Sequence, residues 1–142
     1  MDQLLQFTAN HPLLVTAAVV TGSLLVFNEF RTAGQGQFLV SPDQAVRLMN
    51  KGALVIDLRS PQDYLAGHLS GAKNLLLSDF DKQLESFKKY RGKPVIAYDE
   101  KGLTTPRAIT TLQKAEFEHV FSLRGGILAW REEHMPVEKG QS

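Results

Sequence analysis

Three observations in the 142-residue sequence predict an α/β fold, a parallel sheet flanked by helices, preceded by one N-terminal transmembrane helix. Apolar runs of strand length at residues 54–58, 94–98 and 120–123 are separated by stretches with helical spacing, the alternation that builds a parallel sheet with helices on its faces. Two of those stretches open on Ser-Pro pairs, Ser41-Pro42 and Ser60-Pro61, which supply an N-cap hydroxyl and a proline at the first helical position. Ahead of them, residues 3–28 carry no formal charge, a stretch longer than the ~20 residues a bilayer-crossing helix needs.

The uncharged stretch divides the chain into an anchor at 1–30, centred on 12–28, a tether at 31–37 and a folded unit at 38–142. A cleaved signal peptide fits the first segment poorly, because its start is acidic at Asp2 and Arg31-Thr32-Ala33-Gly34 is a weak cleavage match. A buried soluble helix would carry a polar stripe, which this segment lacks. Thr16, Thr21 and Ser23 are compatible with a span, since a helical hydroxyl can bond the carbonyl one turn back. No Lys or Arg precedes Arg31, and Arg47 follows it. The positive-inside rule then places the C-terminal unit in the cytoplasm, on a single-pass protein. Thr32-Ala33-Gly34-Gln35-Gly36-Gln37 has the small, polar composition of a flexible linker.

In the folded unit, Ser41 and Gln44 form a capping box for a helix reaching about Asn50, with Ala45, Val46, Leu48 and Met49 on its apolar side. Leu54-Val55-Ile56-Asp57-Leu58 is the first strand, and Ser60 caps a short helix through Tyr64 and Leu65. Ser78 is expected to cap a third helix, in which Phe80, Leu84 and Phe87 recur at helical spacing. Pro94-Val95-Ile96-Ala97-Tyr98 is fully apolar, as a strand buried on both faces should be. Thr105-Pro106 opens a helix with Ala108, Ile109, Leu112 and Ala115 on one side. Val120-Phe121-Ser122-Leu123 is the last strand, and Gly125-Gly126 turns it into a helix carrying Ile127, Leu128 and Trp130 that Pro136 stops.

Composition narrows the chemistry. With 16 basic and 15 acidic residues the net charge is +1, which makes no case for nucleic acid. The absence of cysteine excludes disulfides, Cys-ligated zinc, iron–sulfur clusters and a cysteine nucleophile. No cofactor motif is present, and Gly125-Gly126 is too little for a phosphate loop. In an open parallel sheet, ligands collect beyond the carboxyl ends of the strands. Those ends carry Asp57 and Arg59, then Asp99, then Arg124. The candidate site is therefore the loop Asp99-Glu100-Lys101-Gly102-Leu103-Thr104-Thr105, whose run into a helix offers backbone N–H groups to an anion.

Val55-Ile56-Asp57-Leu58-Arg59 followed by Gly67-His68-Leu69-Ser70-Gly71-Ala72-Lys73-Asn74 resembles the first signature of rhodanese-homology domains. Gly125-Gly126-Ile127-Leu128-Ala129-Trp130 with Met135-Pro136-Val137 resembles their closing signature. The resemblance spans residues 38–138 and, with the anchor, is to the single-pass inner-membrane members of bacteria. It implies a sulfurtransferase scaffold in which a cysteine follows the strand equivalent to 95–98. That cysteine accepts a sulfane sulfur from a donor such as thiosulfate and passes it to a thiophile, inside a loop that wraps around the sulfur. Here Asp99 stands in the cysteine's place and Thr104 where a basic residue is common, while Gly102 and a capping hydroxyl, Thr105, are kept.

Sulfur transfer needs a thiolate that forms and breaks an S–S bond, which a carboxylate cannot do. The expectation is thus an inactive sulfurtransferase scaffold that binds a protein partner at the membrane. Its Asp99 would brace the loop by satisfying buried N–H donors, and a negative charge there could mimic the anion of a persulfide or substrate. The alternatives are an enzyme using another protein's cysteine, carboxylate chemistry at Asp99, and a pure scaffold with no loop ligand. The resemblance also implies an Asp57–Arg59 ion pair joining strand to loop. It puts His68 in the Gly-His turn as a packed, hydrogen-bonded group; no second ligand at metal spacing accompanies it. Lys88, Lys89, Arg91 and Lys93 around Tyr90 read either as a solvated helix end or as a contact for anionic lipid headgroups.

Overall fold

Residues Met1–Gln37 and Phe38–Ser142 form two separate units in the computed structural model, which describes residues 1–36 and 38–140. In the first unit, α1 (Asp2–Asn10) and α2 (Pro12–Gly36) are separated at His11. The break precedes Pro12, whose ring suits the first position of a new helix and not the interior of an old one. Within α2, Pro12–Phe30 is long and apolar enough to cross a membrane: 19 residues with a mean hydropathy of 1.8 and none of the window buried. At 1.5 Å per residue this is about 28 Å, close to the ~30 Å hydrocarbon thickness. The hydroxyls of Thr16 and Thr21 donate to Pro12 O at 2.7 Å and Ala17 O at 2.8 Å, so neither is left unbonded in an apolar setting.

Residues 31–36, expected to be a flexible linker, instead continue α2 to Gly36; Gln37 lies outside the described residues. No proline interrupts this stretch, and extending an existing helix costs far less than nucleating one.

The second unit is a five-stranded parallel sheet. Its elements are β1 (Leu39–Val40), α3 (Pro42–Asn50), β2 (Leu54–Asp57), α4 (Pro61–Ala66), β3 (Lys73–Asn74), α5 (Phe80–Gln83), β4 (Val95–Tyr98), α6 (Thr105–Lys114), β5 (Val120–Leu123) and α7 (Gly126–Glu132). The strand order is β1-β5-β4-β2-β3. Alternation along each central strand splits the core into two layers. Leu54, Ile56, Val95 and Ala97 face α5 and α6 with Phe80, Ala108 and Leu112. Val55, Ile96 and Tyr98 face the other way, against Ala45, Tyr64, Ile127 and Trp130. The α/β class, the three long strands and the helices at 42, 61, 105 and 126 agree with the sequence pattern.

The caps at Ser41 and Ser60 form. Ser41 Oγ accepts from Gln44 N and its own N–H donates to Gln44 Oε1, while Ser60 Oγ accepts from Asp63 N at 3.2 Å. Three other expectations are corrected. Ser78 caps nothing: it lies inside a short 3₁₀ turn, Leu77–Asp79, and most of the following segment, Leu84–Tyr90, is also 3₁₀. Phe80 and Leu84 are buried there all the same, because burial of those side chains and not helical propensity orders the segment. Thr105 is not the cap of α6 but its first residue, with its hydroxyl turned back to Gly102 O. α7 ends before Pro136 is reached, where His134 takes a left-handed φ of 57°. The sequence pattern also missed β1 and β3, two residues each, which exist only through pairing with β5 and β2.

Candidate functional site

Because β2, β4 and β5 are parallel neighbours, Asp57, Asp99 and Arg124 emerge at the same edge of the sheet. The structure joins the first two to separate hydrogen-bond networks and leaves the Arg124 side chain exposed. Arg124 contributes through its backbone, donating to Val40 O at 2.8 Å.

The loop after β4 is closed around Asp99, which is 8% exposed. One carboxylate oxygen, Oδ1, accepts from Gly102 N. The other, Oδ2, accepts from Thr104 N and Thr104 Oγ1, both at 2.7 Å. Gly102 reverses the chain at a φ of +87°, a conformation glycine adopts without steric cost. Thr105 Oγ1 donates to Gly102 O at 3.1 Å and accepts from Ser122 Oγ at 2.8 Å, which ties the far side of the loop to β5. Lys101 and Leu103 point away from this network; Leu103 is 78% exposed at the loop's tip.

The start of α7 is spent on the same loop. Ile127 N donates to Asp99 O at 3.0 Å and Leu128 N to Glu100 O at 3.2 Å. These helix-terminal N–H groups, ordinarily available to an anion, already serve protein carbonyls. The fit requires Gly126: its φ is +63°, and a Cβ there would lie 2.5 Å from both Asp99 O and Glu100 O. Gly126 is thus explained by close backbone approach, and Gly125 by its φ of +73° and the 2.7 Å at which a Cβ would meet Ala129 Cβ.

The second network is buried beside the first. The Asp57 carboxylate, fully buried, accepts from Arg59 N at 2.9 Å, Arg59 Nε at 3.1 Å, Arg59 Nη2 at 2.7 Å and Tyr98 OH at 2.6 Å. Arg59 Nη2 also donates to Gly67 O at 2.6 Å, and Nη1 reaches Glu100 Oε2 at 3.4 Å. Leu69 N donates to Tyr98 OH at 3.1 Å. Burial pushes the Tyr98 phenol well above its ordinary value, and the Asp57 charge pushes it the same way, so the phenol remains a donor. For Arg59, burial opposes the charge, but hydrogen bonding and attraction to Asp57 outweigh it and hold the guanidinium above its ordinary value.

His68 stands apart from both networks. Its ring, 1% exposed, stacks on Tyr64 with centroids 3.9 Å apart, and Nδ1 donates to Tyr64 O at 2.7 Å. Its backbone exchanges two 2.8 Å hydrogen bonds with Glu138. The Glu138 carboxylate accepts from Ser70 Oγ at 2.6 Å and Gly71 N at 3.4 Å, and these bonds hold it below its ordinary range. His68 therefore anchors the C-terminal segment. Among the described residues no three His, Asp or Glu side chains gather as metal ligands.

Sequence reasoning missed Tyr98, Ser122 and Glu138 as site supports. Tyr98 left a usable signal: a tyrosine closing an otherwise apolar strand carries a hydroxyl that needs a partner when buried.

Residues 41–133 match the rhodanese-like domain family. The chain is 32% identical to the uncharacterized protein YibN of Escherichia coli (strain K12) over 143 residues, covering 99% of this chain and 100% of YibN. It is 33% identical to the thiosulfate sulfurtransferase GlpE of Pseudomonas entomophila (strain L48), over 72% of this chain and 91% of GlpE. Among solved structures it is similar to a thiosulfate sulfurtransferase from Pseudomonas aeruginosa, with a TM-score of 0.67 and 25% identity over 73% of this chain and 20% of that one. It is also similar to the Alr3790 protein from Anabaena, with a TM-score of 0.64 and 25% identity over 71% and 80% of the two chains.

Two outcomes test the networks. Asp57→Asn leaves the Arg59 cation buried without its counter-charge and should cost about 3–5 kcal/mol of stability, read as a lower urea midpoint. Tyr98→Phe, which removes one donor to Asp57 and the acceptor for Leu69 N, should cost less, about 1–3 kcal/mol. Folding lowers the Glu138 carboxyl's pKa, so its contribution is complete above the ordinary value of 4.5 and is lost as pH falls through the lower folded value. Glu138→Gln should accordingly flatten the fall in melting temperature on acidification between 4.5 and that lower value; an unchanged slope would contradict the assignment.

Proposed function

The chain belongs to the rhodanese-like domain family, and we propose that it is a membrane-anchored member that binds a protein partner at the inner membrane and does not itself transfer sulfur. The observation that carries this reading is the Asp99 carboxylate, which takes up the loop N–H groups of Gly102 and Thr104. Where active relatives wrap this loop around a sulfur, here it is wrapped around oxygen. A carboxylate forms no persulfide, and the reaction requires a thiolate. Glu100, half-exposed and 3.4 Å from Arg59, adds negative charge at the mouth of the loop and repels a thiosulfate-like anion. What the loop offers outward is Lys101 and the exposed Leu103, a surface suited to protein contact.

The anchor is supported by the length and apolarity of Pro12–Phe30 and by a relative, YibN, that matches across this segment as well as the domain. With no basic residue before Arg31, the positive-inside rule favours a cytoplasmic domain.

A second reading, sulfur transfer, is favoured by the 33% identity to a thiosulfate sulfurtransferase over most of the domain. In that reading another protein supplies the cysteine, or Asp99 acts as a nucleophile or base. The engagement of both Asp99 oxygens by the loop counts against the latter.

Purified full-length protein in detergent, given thiosulfate with ³⁵S in the sulfane position, should bind no label covalently and show no turnover with a thiophile. Asp99→Cys combined with Thr104→Arg should acquire label at residue 99. Label on the unaltered chain, or donor-dependent turnover by it, would reject the binding reading. Crosslinking in native membranes from a photoreactive residue at position 103 should capture one partner reproducibly, and its absence would favour the pure scaffold.

A further inference from the structure

The edge of the sheet opposite the Asp99 loop carries a different chemistry. Leu54 N donates to Pro94 O at 2.9 Å, Val95 N to His119 O at 2.8 Å, Glu118 N to Arg91 O at 3.4 Å and Ser122 N to Phe38 O at 2.7 Å. The turns leading into β2, β4 and β5 therefore lie side by side, together with Phe38, where the chain joins the domain. Lys51 precedes β2, and Lys88, Lys89, Arg91 and Lys93 precede β4. Lys88 pairs with Glu85, and Arg91 lies 3.5 Å from Glu116. Lys89 and Lys93 lie instead over the Tyr90 ring, 5.2 and 5.6 Å from its centroid. Among the described residues Lys51, Lys89 and Lys93 have no carboxylate at ion-pair distance, and all three are exposed.

We propose that this amino edge docks on the anionic headgroups of a lipid bilayer, an inference that rests on Pro12–Phe30 being a membrane span. Seven residues, 31–37, separate Phe30 from Phe38, a link that can span no more than about 24 Å. Phe38, the first residue of the domain, accepts from Ser122 N on this same amino edge, so the covalent link leaves the domain from the edge whose turns carry the lysines. Tyrosine flanked by lysine is also a pairing suited to the headgroup region.

Each unpaired lysine near an anionic surface favours association by roughly fivefold, so three supply on the order of a hundredfold. That is weak for a free domain. It is sufficient for a tethered one, whose effective concentration at the surface is already in the mM range. Nucleic acid fits less well, because Glu85, Glu116 and Glu118 interrupt the patch and the chain's net charge is only +1. Docking by this edge turns the Asp99 loop, at the opposite ends of the same strands, toward the aqueous side.

The test is hydrogen–deuterium exchange on the full chain in nanodiscs of phosphatidylcholine alone or with about one-third phosphatidylglycerol. Amides of residues 88–93 should exchange several-fold more slowly in the anionic discs, and the protection should vanish in about 0.5 M KCl, where the Debye length falls to roughly 4 Å. Lys89→Glu with Lys93→Glu should abolish the protection, and the milder Lys89→Gln with Lys93→Gln should weaken it, with domain melting temperature unchanged in both. Equal exchange in the two lipids, or protection that survives charge reversal, overturns docking while leaving the anchor standing. Protection in neutral discs on adding glycerol phosphate identifies a soluble-phosphate site and overturns it equally. Failure of the chain to insert into either disc overturns the anchor and docking together.

Discussion

The domain depends on one buried carboxylate. Asp57 sits at the carboxyl end of β2 with no solvent contact, where an uncompensated charge would cost several kcal/mol. Its compensation comes from three groups on two residues: the backbone N–H and guanidinium of Arg59 two residues on, and the phenol of Tyr98 on the neighbouring strand. Satisfying Asp57 therefore fixes the register of β2 against β4. It also aims Arg59 at Gly67 O and Glu100, while Asn74 bonds the carbonyls of Asp57 and Arg59. The turn before β3 and the base of the site loop are held by the same charge.

The loop beyond β4 repeats this logic at smaller scale. A loop whose N–H groups converge needs an acceptor at its centre, since a buried unmet donor costs about 1–3 kcal/mol. Asp99 provides that acceptor internally. The consequence is chemical as well as structural: the centre of the loop is held by a carboxylate whose two oxygens both accept hydrogen bonds from the loop.

Much of this was legible along the chain. The strands at 54–58, 94–98 and 120–123 announced themselves because burial on both faces demands continuous apolar runs. The caps at Ser41 and Ser60 are local chemistry, complete within four residues. The segment at 77–90 was misread because its apolar spacing suits an α-helix, while its backbone settles into 3₁₀ turns that still bury Phe80 and Leu84. β1 and β3 left no pattern, being two residues long and created by their partners. At the site, Asp99 was conspicuous by its residue type, but the role of Tyr98 was hidden inside an apolar run.

Residue order alone determined the class of fold, the apolar helix ahead of it and the absence of any thiol, because periodicity, charge and composition are properties of contiguous sequence. Only the folded chain decided which groups meet. The Asp57–Tyr98 contact, the fit of Gly126 against Asp99 O and the bond from Ser122 N to Phe38 O all join residues far apart in sequence. Such meetings follow from the parallel stacking of strands, which brings every strand end to one edge and every strand start to the other, and no local pattern encodes them.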